Sequence, residues 1–112
     1  MIRTATIALG ATLLLCGAVL ADPIEGTWKR ANGTLIKYAS VGGDQYCGTV
    51  MTGKYKGQSI GCMNGKDGSY RGKVNKLDEG KTYTGKATVR AATLALSGCV
   101  FVLCKTENLT RQ

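Results

Sequence analysis

From Gly26 onward the chain is a succession of short runs in which apolar and polar residues alternate, each run ended by glycine or a turn pair. A period of two sends successive side chains to opposite faces, the pattern of a half-buried β-strand. It predicts strands over Thr27–Arg30, Thr34–Ala39 and Gln45–Thr52, a less regular one over Lys54–Met63, then Ser69–Lys76 and Lys81–Arg90. Thr93–Leu103 is the most apolar stretch, broken at Gly98, and the tail Lys105–Arg111 is placed to close the sheet. Turns are supplied by Asn32-Gly33, Gly42-Gly43-Asp44, Asn64-Gly65-Lys66-Asp67-Gly68 and Leu77–Gly80. Ala91–Leu96 has helix-friendly composition but sits among β-branched runs, so it is read as strand. Seven or eight short antiparallel strands at this spacing predict an all-β domain, a small barrel or sandwich.

The first residues follow a different pattern. Arg3 is the single charge in a short opening segment, an uncharged Ala/Leu-rich stretch runs from Ala5 to Leu20, and Ala21-Asp22-Pro23 follows. That is the layout of a cleavable secretory signal. The stretch is short and interrupted by glycine and threonine, whereas a membrane span needs about 20 apolar residues. An uncleaved anchor is the alternative. Lipidation at Cys16 is a weaker one, because a lipid-acceptor cysteine usually follows a small residue and Leu15 stands there. The expectation is a signal peptide over 1–21, a single barrel domain over 22–112, and a periplasmic or secreted protein that is not transmembrane after cleavage.

Composition sharpens this picture. Loss of residues 1–21 leaves 91, enough for one domain. A domain that small buries only about two thirds of its chain surface and gains from covalent staples. Cys47, Cys62, Cys99 and Cys104 remain in it, and an oxidising compartment would join them as disulfides. Three connectivities are open. If Val100–Leu103 folds as a tight turn, Cys99 meets Cys104 and Cys47 is left to pair with Cys62.

Tyr-x-Gly recurs at Tyr46/Gly48, Tyr55/Gly57, Tyr70/Gly72 and Tyr83/Gly85. On a strand the two residues share a face, so a ring can shield nearby glycine backbone while the glycine permits the bend that closes a barrel. Structural packing is the simpler account, and a row of tyrosines stacking a ligand is the alternative. The spacing is too irregular for a solenoid repeat.

Asp22-Pro23-Ile24-Glu25-Gly26-Thr27-Trp28, then Gly42-Gly43-x-x-Tyr46-Cys47-Gly48-Thr49-Val50, make a distinctive beginning. Lys56-Gly57-x-Ser59-Ile60-Gly61, Gly80-Lys81-Thr82-Tyr83-x-Gly85-Lys86-Ala87 and Leu96-Ser97-Gly98-Cys99-Val100 continue it, and Cys104-Lys105-Thr106 and Thr110-Arg111 complete it. Together they resemble the bacterial exported family labelled domain of unknown function 2147, in its short-chain form. The resemblance implies a compact lipocalin-like β-barrel and no known activity. Three positions depart from the family's usual pattern. Leu109 stands where a tryptophan is common, Val41 where a cysteine is common, and Cys62 where a basic residue is common. Gly26-x-Trp28 also resembles the opening strand of lipocalins, in which a C-terminal arginine lies across the tryptophan. Arg111 is placed to do this, as a cation–π contact worth about 0.5–2 kcal/mol; a core tryptophan with a solvated arginine is the alternative.

Candidate chemistry is sparse. The chain has no histidine, which removes the commonest general base and metal ligand. Cys99 and Cys104 lack redox Cys-x-x-Cys spacing, Asp78-Glu79 reads as a solvated turn, Ser59 and Ser97 have no activating base, and Gly61–Gly68 lacks the context of a phosphate loop. No catalytic residue, cofactor or metal is expected, and an enzyme is disfavoured. Charge is the remaining signal: the whole chain is +8, and nine basic residues stand against three acidic ones between Lys54 and Arg90. Arg71, Lys73, Lys81 and Lys86 are the candidate anion-binding face; a solvated surface that keeps the domain soluble is the plainer account. RNA-binding aromatic motifs are missing, and nucleic acid is not an expected partner. The reading is a non-enzymatic binding module of the bacterial envelope, for an anionic envelope component or a small ligand. A protein–protein or inhibitor module is the alternative. Large Tyr and Leu side chains in so short a chain predict a filled barrel rather than a cavity.

Overall fold

The computed structural model describes residues 22–112; the expected signal peptide over 1–21 lies outside the described residues. Eight strands follow in order: β1 (Gly26–Lys29), β2 (Leu35–Gly42), β3 (Gln45–Val50), β4 (Ser59–Lys66), β5 (Ser69–Lys76), β6 (Lys81–Arg90), β7 (Thr93–Val100) and β8 (Leu103–Arg111). Each pairs antiparallel with the next. β1 then pairs with β8 through Trp28 opposite Arg111 and Lys29 opposite Thr110, so the meander closes into a barrel. The closing seam is short, and β8 from Leu103 to Leu109 pairs with β7 alone. The all-β barrel expected from the alternation is the fold the chain adopts.

β5 and β6 have the expected limits, β1, β2 and β3 differ by one to three residues, Ala91-Ala92 is a turn rather than strand, and three further differences have a clear cause. The expected strand over Lys54–Met63 is displaced: Gly57 N–H bonds Val50 carbonyl at 2.7 Å and Val50 N–H bonds Gln58 carbonyl at 2.9 Å. These bonds fold 51–58 into a loop and start β4 at Ser59. At its far end β4 runs through Asn64-Gly65, a pair read from sequence as a turn. A Cβ on Gly65 would lie 2.2 Å from the Ser69 carbonyl oxygen, so this glycine serves the close approach of β5. The turn itself is Asp67-Gly68. Lastly, Thr93–Leu103 is not one strand: it ends at Val100, turns at Phe101-Val102 and returns as β8.

In a closed meander, alternate turns fall at opposite ends. The strap Asp22–Glu25 lies with the turns at 43–44, 67–68 and 91–92, and the loops 30–34, 51–58, 77–80 and 101–102 form the other rim. The bulkiest inward side chains gather toward the strap. Trp28, Tyr38 and Met63 are fully buried there, with Tyr46 and Tyr70 edge to face at 5.9 Å. Ile24 plugs this end, itself 0% exposed. β4 and β5 come so close that a Cβ on Gly72 would sit 2.1 Å from the Cys62 carbonyl oxygen, so no larger residue fits.

Candidate functional site

The rim away from the strap is open. Between Ile36, Val50, Ile60, Val74, Leu77 and Leu96 lies a cup of about 850 Å³, with Tyr55 and Tyr83 near its mouth. The expected filled interior is therefore corrected only at the rim: the core stays packed, with Ile36, Val50, Ile60 and Leu96 at most 8% exposed, and the space above them is open. The reason is the distribution of side-chain size along each strand. The large aromatic inward residues Trp28, Tyr38, Tyr46 and Tyr70 gather in the strap half, whereas the open half has mainly aliphatic inward residues and, at Gly98, none. A volume of this size falls within the roughly 300–1,000 Å³ of ligand pockets.

Polar groups are confined to the mouth. The Tyr83 hydroxyl donates to Glu79 at 2.7 Å, a bond that raises the phenol above its ordinary pKa and lowers the carboxyl below its own. Arg30 grips Glu107 through two nitrogens at 3.0–3.2 Å, and Lys76 meets Glu79 at 3.4 Å. Below the aliphatic lining, one inward position beyond Ile36, the buried Tyr38 hydroxyl has no hydrogen-bond partner among the described residues. The four Tyr-x-Gly tyrosines do not form a row: Tyr46 and Tyr70 are core at the strap, while Tyr55 and Tyr83 flank the mouth. Glycine shielding does occur, but across strands. The Tyr38 ring lies over Gly48 and Tyr83 over Gly98.

The strap end is sealed by a polar network. Tyr70 donates to the Asp22 carboxylate and accepts the N–H groups of Gly68 at 3.1 Å and Ile24 at 3.3 Å. Burial first, and then the Asp22 bond, push this phenol well above its usual range, so it remains a donor at neutral pH. Trp28 donates its indole N–H to Ile24 carbonyl at 2.9 Å. Arg111 lies over the Trp28 ring at 4.1 Å and donates to the carbonyls of Glu25 (2.9 Å) and Pro23. A Cβ on Gly26 would meet this guanidinium at 2.8 Å, which accounts for the glycine of Gly26-x-Trp28.

The basic residues separate into two sets. Arg71 on β5 stands directly opposite Lys86 on β6, and Lys73 is the next outward residue of β5. These three share the outer wall. Lys81 does not join them: it pairs with Lys76 at the start of β6, on the rim, with the inward parity of Tyr83. Both staples also lie on the outer wall. Cys47 of β3 faces Cys62 of β4, and Cys99 of β7 faces Cys104 of β8, each joined as a disulfide.

Two features escaped the strand pattern: the open rim and the apolar tip between β7 and β8. Phe101 is 98% exposed, Val102 92% and Leu103 77%. Among the described residues no three Cys, Asp or Glu side chains converge as metal ligands, and no helix is long and apolar enough to cross a membrane, which says nothing about strands.

Neither the curated proteins nor the solved structures include a match to this chain. A family model does match, described as "Uncharacterized protein conserved in bacteria (DUF2147)", over residues 58–111. The match runs over β4 to β8, five of the eight strands, and there the chain is similar to that bacterial family.

Proposed function

We propose that the protein is a non-enzymatic binding barrel that takes a small, elongated apolar ligand with an anionic head, such as a fatty acyl chain, into its open half. The observation that carries this is the contrast between an aliphatic interior and a mouth bearing Lys54 and Lys105. Burial of an acyl chain among Ile36, Val50, Ile60 and Leu96 contributes about 0.8 kcal/mol per methylene. Rim cations keep the carboxylate or phosphate in water and oriented outward. A fluorescent fatty acid should bind saturably with one site per chain. Val74→Trp, which projects indole into the cup, should remove that binding while the thermal midpoint stays within a few degrees. Absence of saturable binding by the unaltered protein would end the proposal. The outer set Arg71, Lys73 and Lys86 supports a second contact, with an anionic envelope component, because three cations at neighbouring outward positions add their fields.

The site of action in this proposal is outside the cytoplasm, in the periplasm or beyond. Two cross-strand disulfides favour an oxidising compartment, and the layout of 1–21 favours export. The expected mature form begins at Asp22, whose carboxylate already docks on Tyr70 and the Asp67 N–H. Intact-mass measurement on protein from the native host checks this. A full-length or lipid-modified mass would contradict it.

A further inference from the structure

Hairpin tips in this barrel are polar or, at Ala91-Ala92, small, and one alone is made of bulky apolar residues. Asn32-Gly33, Gly43-Asp44, Asp67-Gly68 and Asp78-Glu79-Gly80 use residues that either tolerate positive φ or bond their own backbone. The β7–β8 tip is instead Val100-Phe101-Val102-Leu103, exposed at every position. Phe101 moreover takes φ +54°, a conformation that glycine adopts without cost and a bulky aromatic rarely does. Packing does not account for the residue choice, since the Phe101 ring buries nothing. Immediately beneath the tip, the Cys99–Cys104 bond ties the two strands, so the four apolar residues are held out as a fixed wedge.

The charge around this wedge has a direction. On the same rim, Arg30 is paired with Glu107 and Lys76 with Glu79. That leaves Lys54, Lys56, Lys81 and Lys105 against Asp78 alone. The remaining acids, Asp22, Glu25, Asp44 and Asp67, all lie at the strap end. The barrel is thus positive at the wedge, whereas at the far end four acids stand against Lys66, Arg90 and Arg111, an arrangement that an anionic surface would orient with the mouth facing it.

We infer that the Val100–Leu103 tip is a membrane-docking wedge, inserting into an anionic bilayer leaflet while the rim lysines meet the headgroups. Combining an apolar insertion with a basic collar is how peripheral proteins obtain reversible binding from two individually weak contacts. The disulfide reduces the ordering lost on insertion, because the wedge is already formed. Docking in this pose sets the mouth of the cup on the leaflet. It does not require the cup to hold a ligand, so this inference and the binding proposal stand or fall separately.

Sedimentation of the mature protein with equimolar phosphatidylglycerol–phosphatidylcholine vesicles, and with phosphatidylcholine alone, is the test. Binding is expected to the anionic vesicles and to weaken as salt rises from about 0.1 M to about 1 M, where the Debye length falls to about 3 Å. F101D and V102D should each reduce partitioning about tenfold or more. F101G, which relieves the backbone but removes the ring, should reduce it too. K37E, on the outward face of β2, should leave most of it. The tip variants should keep their thermal midpoint and their binding of the fluorescent fatty acid. Vesicle binding unchanged in F101D, or lost only in K37E, would overturn the inference. So would absence of vesicle binding with a wild-type dimer that F101D dissociates, which would make the tip an interface between two copies.

Discussion

Replacing Trp28 with alanine is expected to destabilise the barrel by about 3–5 kcal/mol, lowering its thermal midpoint by about 20 °C in a domain of this size. Three losses coincide at that residue. The ring is fully buried in the strap half, its N–H holds the strap through Ile24, and its face carries Arg111, the closing residue of β8. Trp28→Phe keeps an aromatic face and loses the indole bond, so it should cost about 1–2 kcal/mol. Arg111→Ala removes the cation–π contact together with two bonds to strap carbonyls. A double-mutant cycle between Trp28→Ala and Arg111→Ala isolates the ring–guanidinium coupling, expected at about 1 kcal/mol. Purely additive losses would mean that the arginine acts through the strap carbonyls alone.

Strand polarity explains how much of this was legible in sequence. Ser69–Lys76 could be read at both ends, and Lys81–Arg90 at its start, because alternation meets unambiguous turns, Asp67-Gly68 and Leu77–Gly80. The same alternation identifies Trp28, Tyr46 and Tyr70 as inward. It does not say how far along the barrel each one sits. That follows from the meander: Tyr46 opens β3 and Tyr70 opens β5, and odd strands all begin at the strap end. Counting inward residues by end, rather than by total volume, would have exposed the open rim that a sum of large side chains concealed. Gly65 failed for a different reason. A glycine needed for close backbone approach looks in sequence like one needed for a turn, and only the Ser69 carbonyl facing it distinguishes the two. The β7–β8 tip resisted because Val100–Leu103 continues the apolar run of β7 without a turn residue; the cysteines on either side were its only mark.

Reduction of both disulfides is expected to remove about 5 kcal/mol, comparable with the whole stability of a domain of about 90 residues. Each bond joins directly opposed residues of neighbouring strands, so in the folded state it adds little contact. Its effect lies in the unfolded chain, whose loops it closes. The Cys47–Cys62 loop spans a sequence separation of 15, against 5 for Cys99–Cys104. The chain-entropy relation therefore gives about 3 and about 2 kcal/mol respectively. The larger bond also bridges the irregular 51–58 loop, where no tight hairpin brings β3 and β4 together, whereas the two-residue turn at Phe101-Val102 already positions β7 against β8. Cys47→Ala/Cys62→Ala should accordingly lower the thermal midpoint by about 15 °C and Cys99→Ala/Cys104→Ala by less. Peptide mapping without reductant should recover the same two linkages from the untreated protein. Four free thiols, or a midpoint insensitive to both pairs of substitutions, would show that the hydrophobic packing of the strap half sustains this barrel unaided.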